Sequence, residues 1–352
     1  MAQSIATVRT VKGLRSQVAH WRQTGDAIAL VPTMGALHAG HLSLITIAKE
    51  YAKRVVASIF VNPTQFGPKE DFKRYPRDEA GDLGKFAQAG VDLVFIPATE
   101  EMYPLGFATR VSVPSLTEDL CGAARPNHFE GVATIVTKLF LQCAPDVAVF
   151  GEKDYQQLLV IKRLVRDLNI PVEIINGPIV REQDGLALSS RNAYLSTAER
   201  NTAPILHQVL SEAAEALASG EGCDAASSAA RFKLEGKGFR VDYVAIRDQE
   251  TLAPLSGPIR GPARVMGAVY LGSARLIDNV PTAPKNRYGE ARANTRALRA
   301  GYRCHHPRPR ADPAERRLPA NSASPGTRVS PAGASPPARG RVRCHSTLRR
   351  HP

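Results

Sequence analysis

Short apolar runs alternate with longer segments of helical periodicity over the first half of the chain. The runs predict strands at 27–31, 55–61, 93–96, 147–150 and 172–175. The segments between them predict helices over 43–54, 79–89, 132–142 and 155–169, and in the last of these the apolar residues recur every three or four positions. Strands that alternate with helices are typical of a parallel sheet covered on both faces.

The pattern changes after residue 179. "STAERNTAPILHQVLSEAAEALASG" predicts a helix that starts at a capping box of Ser196 and Glu199 and kinks at Pro204. "FRVDYVAI" and "ARVMGAVYLGSARLIDN" then predict strands. We therefore expect an α/β fold with three parts: a Rossmann-like parallel-sheet domain over residues 1–179, a smaller α+β domain over 180–284, and a tail over 285–352.

The charge of the chain is concentrated in that tail. Of the 46 Lys and Arg, 16 lie in residues 285–352 with 3 of the 33 Asp and Glu, so residues 1–284 hold 30 of each and are neutral. The tail has no Ile, Phe, Met or Trp and no traceable period, so we expect it to be disordered. Two alternatives stay open: an RNA- or membrane-surface-binding arm, and an out-of-frame extension of a GC-rich gene.

The cysteines and the hydropathy pattern indicate the cell compartment. Cys121, Cys143, Cys223, Cys304 and Cys344 form no C-x-x-C pair, and they match neither a disulfide framework nor a zinc pattern. No run approaches the ~20 apolar residues that span a bilayer. We expect a soluble cytoplasmic protein that has no metal site of its own and no nucleic-acid or membrane partner.

The stretch "LVPTMGALHAGHLSL", residues 30–44, carries the first candidate chemistry. A helix that begins near Gly40 or His41 would direct its N-terminus at a ligand beyond the preceding strand. His38 and His41 would share one side of its first turn and could donate to phosphate oxygens. The spacing differs from the H-E-x-x-H of zinc sites. Two surface histidines are the remaining alternative.

Three further stretches carry polar side chains at strand ends or in a loop. "SIFVNPTQFG" places Asn62 and Gln65 where buried amides would bind hydroxyls or a carboxylate. "VFGEKDYQQL" places Lys153 for phosphate, and the alternative is a solvated helix start. "GLALSSRN" offers two hydroxyls with Arg191, which suits a phosphate clamp or a simple serine-rich turn.

These stretches together resemble a known family. P-T-M-G-A-L-H-A-G-H resembles the H-x-G-H signature of the nucleotidyltransferase superfamily. All four stretches, in this order and spacing, resemble the pantothenate synthetase (pantoate–β-alanine ligase) family, as do "FKRYPRD", "VFIPATEEMYP", "RPNHFEGVATIVTKLF" and "RLIDNV". The resemblance covers about residues 1–283 and ends where the tail begins. Leu188 stands where methionine is also common.

The resemblance implies a ligase that forms an amide bond. Its expected reaction is the ATP-dependent condensation of (R)-pantoate with β-alanine, through a pantoyl adenylate, with release of AMP and pyrophosphate. ATP is expected as a substrate with Mg²⁺, and the protein as a homodimer. Two competing hypotheses are another H-x-G-H adenylyltransferase, and a nucleic-acid-binding protein that uses the tail.

The resemblance also implies the site residues. His41 is expected as proton donor, with His38, Lys153 and Arg191 as further catalytic residues. Gln65, Gln157 and Asn62 are expected to bind substrate, and Tyr75, Arg125 and His128 are additional candidates. The residues expected to bind ATP are Met34, Gly35, Ala36, Leu37, His38, Ala39, Gly40, His41, Gly151, Glu152, Lys153, Asp154, Val180, Leu188, Ser189, Ser190 and Arg191.

Deletion of residues 285–352 should leave kcat/KM intact, because their composition cannot form part of a packed catalytic body. Steady-state turnover of the full-length and truncated proteins checks this. A large loss of kcat/KM in the truncated protein would assign the tail a role in catalysis.

Overall fold

The computed structural model describes residues 5–68 and 70–285. The first part of the chain consists of these elements: β1 (Thr7–Val8), α1 (Val11–Gln23), β2 (Ile28–Thr33), α2 (Ala39–Tyr51), β3 (Arg54–Ile59), α3 (Glu79–Ala89), β4 (Leu93–Phe95), α4 (Thr99–Met102), α5 (Cys121–Ala124), α6 (His128–Cys143), β5 (Val147–Gly151), α7 (Tyr155–Asp167) and β6 (Glu173–Gly177). The second part consists of α8 (Thr197–Thr202), α9 (Ile205–Ala218), α10 (Cys223–Glu235), β7 (Arg240–Asp248), β8 (Ala263–Leu271) and β9 (Ala274–Thr282).

The first six strands form one parallel sheet in the order β1-β4-β3-β2-β5-β6. From β2 the chain adds strands first on one side and then, after β4, on the other. This reversal leaves a crevice at the carboxyl ends of β2 and β5, which is where open α/β sheets bind ligands. The predicted Rossmann-like sheet is confirmed.

Alternating side chains of the strands build two apolar layers. Ile28 and Leu30 of β2 pack with α1, α6 and α7, whereas Ala29 and Val31 pack with α2 and α3. Because both faces are covered, the central strands are apolar almost throughout, which is why they stand out as continuous runs in the sequence.

The second sheet is antiparallel, in the order β7-β8-β9. One face, including Val265 and Val269, packs against α9 and α10. The opposite face, including Met266 and Ile277, joins the apolar cluster of the parallel-sheet domain. The smaller sheet therefore lies between its own helices and the larger domain. The predicted α+β class of the second domain is confirmed, and the boundary at residues 179 and 180 stays a prediction.

The helix predicted over 79–89 has the predicted bounds, but the other three do not, since those predicted over 132–142 and 155–169 run over His128–Cys143 and Tyr155–Asp167. The helix predicted over 43–54 begins at Ala39 and ends at Tyr51, because Arg54 opens β3 and its side chain bonds to Asp26 and Asp92. The capping box at Ser196 is confirmed. The helix that follows it divides into α8 and α9 around Pro204, which has no N–H to donate.

The predicted tail lies almost wholly outside the described residues. Its first residue, Lys285, donates its backbone N–H to the carbonyl of Ala218 at the end of α9. No helix in the described part of the chain is both long and apolar enough to cross a membrane.

Phe86→Ala should lower the free energy of unfolding by about 3–5 kcal/mol, because Phe86 is fully buried between α3 and the sheet and truncation leaves a cavity. The matched control is Phe232→Ala on α10, a residue that is 78% exposed and whose truncation should change stability by less than ~0.5 kcal/mol. Urea denaturation of both variants checks this, and equal losses would contradict it.

Candidate active site

The loop between β2 and α2 lies at the crevice and has an unusual backbone. Gly35 and Ala36 both adopt positive φ, at 81° and 53°. The buried carboxylate of Asp82 on α3 accepts hydrogen bonds from the backbone N–H groups of Ala36 (2.7 Å) and Leu37 (2.8 Å). A Cβ at Gly35 would lie 2.9 Å from Asp82 Oδ2, so glycine is required there for the carboxylate to approach. Asp82 therefore determines the shape of the loop.

His38 and His41 lie side by side at the start of α2. Their ring centroids are 4.1 Å apart, and the backbone N–H of His38 donates to Nδ1 of His41 at 3.3 Å. When His41 is neutral its proton is therefore on Nε2, which is free to donate to a ligand. Within the described residues, the buried Nδ1 of His38 has no hydrogen-bond partner.

Both imidazoles are neutral at physiological pH. Burial, together with the neighbouring His38 ring and the Lys153 ammonium, lowers the pKa of His41 to about 3. Burial and Lys153 lower the pKa of His38 to about 4. The pair can therefore donate hydrogen bonds as neutral rings but does not add positive charge to the cleft.

Lys153 and Asp154 lie on a single 3-10 turn that follows β5. The Lys153 ammonium is 3.9 Å from the Asp154 carboxylate. Although Asp154 lies deep in the cleft, 50% of its side-chain surface faces the open cavity. Burial opposes its ionisation, but the charges of Lys153 and Arg191 outweigh this effect and hold the pKa of Asp154 below its ordinary value.

The loop 188–191 closes against the β2–α2 loop. Ser190 Oγ donates to the carbonyl of Ala36 at 3.0 Å, and Ser189 Oγ accepts from the backbone N–H of Arg191. The Arg191 guanidinium makes two bonds to the carboxylate of Asp71, at 3.1 and 3.0 Å. The arginine is thus fixed at the cleft wall before any anion binds.

Asn62 lies behind Gln65, which lines the cleft. Asn62 Nδ2 donates to Gln65 Oε1 (2.9 Å) and to the carbonyl of Gly131, while its Oδ1 accepts from Thr64 and Tyr103. All polar groups of the Asn62 amide are therefore used within the protein. Because Gln65 Oε1 accepts from Asn62, the Nε2 group of Gln65 is the part of its amide available to a ligand.

Arg125 and His128 support the same region. Arg125 makes a two-pronged bond to Glu70 at 2.8 and 2.6 Å. His128 contacts the carbonyl of Gln65 through Nδ1 (2.8 Å) and Arg125 through Nε2 (3.0 Å), so Nδ1 carries the proton of a neutral ring. Burial and the Arg125 charge lower the pKa of His128 to about 4.

Two adjoining cavities form the cleft. The smaller, about 230 Å³, lies against the parallel sheet, and the larger, about 330 Å³, extends beneath the antiparallel sheet. Both are lined by Arg125, His128, Lys153, Asp154, Gln157, Ser189 and Arg191. The predicted residues that line the smaller cavity also include Met34, His38, Gly40, His41, Gln65, Tyr75, Gly151, Val180, Leu188 and Ser190.

A few predicted residues lie outside the cavity walls. Gly35, Ala36, Leu37 and Ala39 shape the loop and the helix start, Asn62 lies behind Gln65, and Glu152 bonds to Asn176. Their roles as direct ligands stay predictions.

Sequence reasoning missed the carboxylates that hold the site, namely Asp82, Asp71 and Glu70. For Asp82 a signal was present, since it lies four residues before the core residue Phe86 on the same helix face. Within the described ranges, no three His, Cys, Asp or Glu side chains are grouped as a metal site would require.

The fold and the cleft together define an α/β nucleotide-binding enzyme of the H-x-G-H type, with its site at the switch point of a parallel sheet. A model of the family "Pantoate-beta-alanine ligase" matches residues 6–281. The chain belongs to this family and is a ligase.

Known relatives align with this chain over almost their whole length. A pantothenate synthetase from Paramagnetospirillum magneticum is 54% identical over 285 residues, 81% of this chain and 100% of that protein. The crystal structure of pantothenate synthetase from Thermus thermophilus has 51% identity and a TM-score of 0.74, covering 78% of this chain and 99% of that one. The pantoate-beta-alanine ligase from Francisella tularensis, complexed with beta-gamma ATP and beta-alanine, has 33% identity and a TM-score of 0.67, over 78% and 97% of the two chains.

The stability of the protein should fall as the pH drops from about 6.5 towards 4. The folded-state pKa values of His38, His41 and His128 lie below the ordinary 6.5. The unfolded chain therefore binds more protons than the folded protein in this interval, and acidification stabilises it relative to the folded state. Above 6.5 the contribution is complete. For His41 alone the loss is about 2 kcal/mol at pH 5.

Denaturation at pH 7 and pH 5 of the parent, of His41→Gln and of the surface variant His20→Gln checks this. His41→Gln should show a smaller difference between the two pH values than the parent, and His20→Gln should not. Parallel pH profiles for all three proteins would contradict the expectation.

Proposed function

We propose that this ligase uses ATP to condense (R)-pantoate with β-alanine, in two steps within the cleft. A carboxylate oxygen of pantoate attacks the α-phosphorus of ATP, and the bond to pyrophosphate breaks. The amine of β-alanine then attacks the acyl carbon of the pantoyl adenylate, AMP leaves, and an amide forms. The two steps are needed because a free carboxylate oxygen is a poor leaving group.

One observation carries the proposal. Candidate phosphate-binding groups and amide side chains line one small cavity. The former are the α2 N-terminus, Lys153 and Arg191, and the latter are Gln65 and Gln157. Positive groups thus surround the position where charge develops on phosphate, while amide donors suit a hydroxyl-bearing carboxylate.

The histidines have a defined part in the first step. With its Nδ1 turned to the backbone of His38, His41 directs an Nε2–H donor towards the phosphate oxygens. The approaching triphosphate brings negative charge to a buried neutral ring and so favours its protonation. The hydrogen bond that His41 donates therefore becomes stronger as negative charge develops on the phosphate, and His38 lies beside it.

Gln65 has its donor side turned to the cavity, which supports its binding of pantoate and its contact with β-alanine. Its amide oxygen is held by Asn62, so we assign Asn62 as a positioning residue for Gln65. Gln157, at the shared edge of the two cavities, is the second amide for pantoate.

Mg²⁺ is expected to enter with the triphosphate and to neutralise part of its charge. Triphosphate oxygens and water supply most of the ligands that this ion takes, so few protein carboxylates are needed. The donor set agrees with that arrangement, because Glu70 and Asp71 are engaged by arginines while Asp154 faces the cavity.

The antiparallel sheet covers part of the cleft and in this proposal keeps water from the reaction intermediate. A mixed anhydride is readily hydrolysed, and the larger cavity is roofed by β8 and β9. We propose that approach of this sheet to the bound nucleotide closes the cleft during turnover.

The cellular setting is also part of the proposal. We expect a cytoplasmic homodimer that binds neither nucleic acid nor membrane. The free thiols of Cys121, Cys143 and Cys223 suit a reducing compartment, and Leu105 and Leu141 of the larger domain are exposed apolar groups that a second copy could cover. Analytical ultracentrifugation measures the oligomeric state.

Pyrophosphate release from Mg-ATP with D-pantoate alone, followed by AMP formation after addition of β-alanine, tests the reaction. Stoichiometric pyrophosphate and then sustained AMP are expected. An adenylyltransferase would instead retain AMP on its product. No pyrophosphate from pantoate, in folded protein that binds Mg-ATP, would refute the proposal.

Gln65→Ala should raise the KM for pantoate by at least ~10-fold, because the substrate loses a buried hydrogen-bond partner. Initial rates at varied pantoate and saturating ATP measure it. The control is Gln142→Ala, another buried glutamine, which lines neither cavity and should leave this KM unchanged. An unaltered pantoate KM in Gln65→Ala would remove Gln65 from the site.

A further inference from the structure

The segment "RLIDNV", residues 275–280, brings two polar residues of β9 to the edge of the cleft. Asn279 is 2% exposed, and its Nδ2 group donates both hydrogens to backbone carbonyls on the turn that carries Lys153. The acceptors are the carbonyl oxygens of Glu152 (3.0 Å) and of Lys153 itself (3.1 Å). The second domain thus holds the main chain at the base of a side chain that reaches into the cavity.

The orientation of the Asn279 amide is determined by its other side. Its Oδ1 accepts from Arg264 Nη1 at 2.5 Å, and the Arg264 guanidinium lies over the Tyr155 ring at 3.8 Å. A reversed amide would place its oxygen against two carbonyl oxygens and its NH₂ against a cation. Every hydrogen-bonding group of this amide is therefore committed to the contact with the Lys153 turn.

The preceding residue, Asp278, contacts the segment that leads into the loop of Arg191. The Asp278 carboxylate accepts two bonds from Arg181, at 2.6 and 2.9 Å. Arg181 pairs with Ala187 in a short two-stranded turn, and the backbone N–H of Leu188 bonds to the carbonyl of Val180. That turn leads directly into the loop of Ser189, Ser190 and Arg191.

We propose that Asp278 and Asn279 are positioning residues: Asn279 places the Lys153 turn, and Asp278 places the hairpin that leads into the Arg191 loop, while Asp71 orients the Arg191 guanidinium. Consecutive residues on one rigid strand anchor two loops that come from distant parts of the chain. The two segments are thereby bound to adjacent residues of β9. Misplacement of about 1 Å at a reacting phosphate is enough to reduce a rate ~10²-fold. The inference rests on the proposed function, since it needs the two cations to act on phosphate.

Asn279→Asp tests the proposal with almost no change in volume. The substitution replaces the two hydrogens facing the carbonyls of Glu152 and Lys153 with a carboxylate oxygen, so the turn is repelled. We expect the single-turnover rate of pantoate-dependent pyrophosphate release to fall about 10²-fold. The KM for pantoate should change far less than this rate, because Gln65 is held by Asn62 and not by the Lys153 turn.

A double-mutant cycle with Lys153→Met separates positioning from general destabilisation. If Asn279 acts through Lys153, adding Asn279→Asp to Lys153→Met should cause little further loss of rate, because the group being positioned is already absent. Losses that multiply would overturn the proposal. If Asn279→Asp does not fold, Asn279→Ser, which keeps a single donor, takes its place in the same cycle.

Thr282→Val is the matched control on the same strand. Its buried hydroxyl donates to the carbonyl of Ala214 at 2.7 Å, away from the cleft, so the variant should melt earlier with turnover unchanged. A comparable fall in rate for Thr282→Val would mean that any damage to β9 has this effect, and would overturn the positioning role. Failure of the proposed function is recognised separately, since the parent protein itself would then release no pyrophosphate from pantoate.

Discussion

The bond between the Asp82 carboxylate and the backbone of Ala36 and Leu37 is the contact on which the rest of the cleft depends. It holds a loop with two consecutive residues at positive φ, and so determines where α2 begins and where its free N–H groups point. The loop of Ser190 then takes its own position from the carbonyl of Ala36. The buried Asp82 carboxylate, in the first turn of α3, thus holds the backbone of a neighbouring site that itself binds anions.

The charged side chains of the cleft are already oriented in the absence of a bound polyanion. Arg125 and Arg191 are already oriented by Glu70 and Asp71, which are adjacent in the chain. The histidines are neutral because burial disfavours their charged forms. Such preorganised donors and cations lose little orientational freedom on binding, and a low-dielectric cleft makes each of them more effective.

The sequence was most informative where a feature of the fold depends on residues that are close together in the chain. Continuous apolar runs located the central strands because both faces of the sheet are covered, and the spacing of His38 and His41 indicated a site at a helix start. It was least informative for contacts between distant segments. The pairing of Arg191 with Asp71, and the use of Asn62 to hold Gln65, depend on three-dimensional proximity that no local pattern records.

Asn279 binds the Lys153 turn through main-chain carbonyls alone, and Arg264 of the same domain adds one contact to the Glu152 carboxylate at 3.5 Å. Carbonyl groups are the same whatever side chains the turn carries. Substitution at residue 153 therefore leaves the two acceptors of Asn279 in place, and the side chain carried at that position can vary while the turn stays bound. The contact between the domains therefore does not depend on the side chain at position 153. The reactive group at that position can be exchanged, in evolution or by design, without changing how the turn is bound.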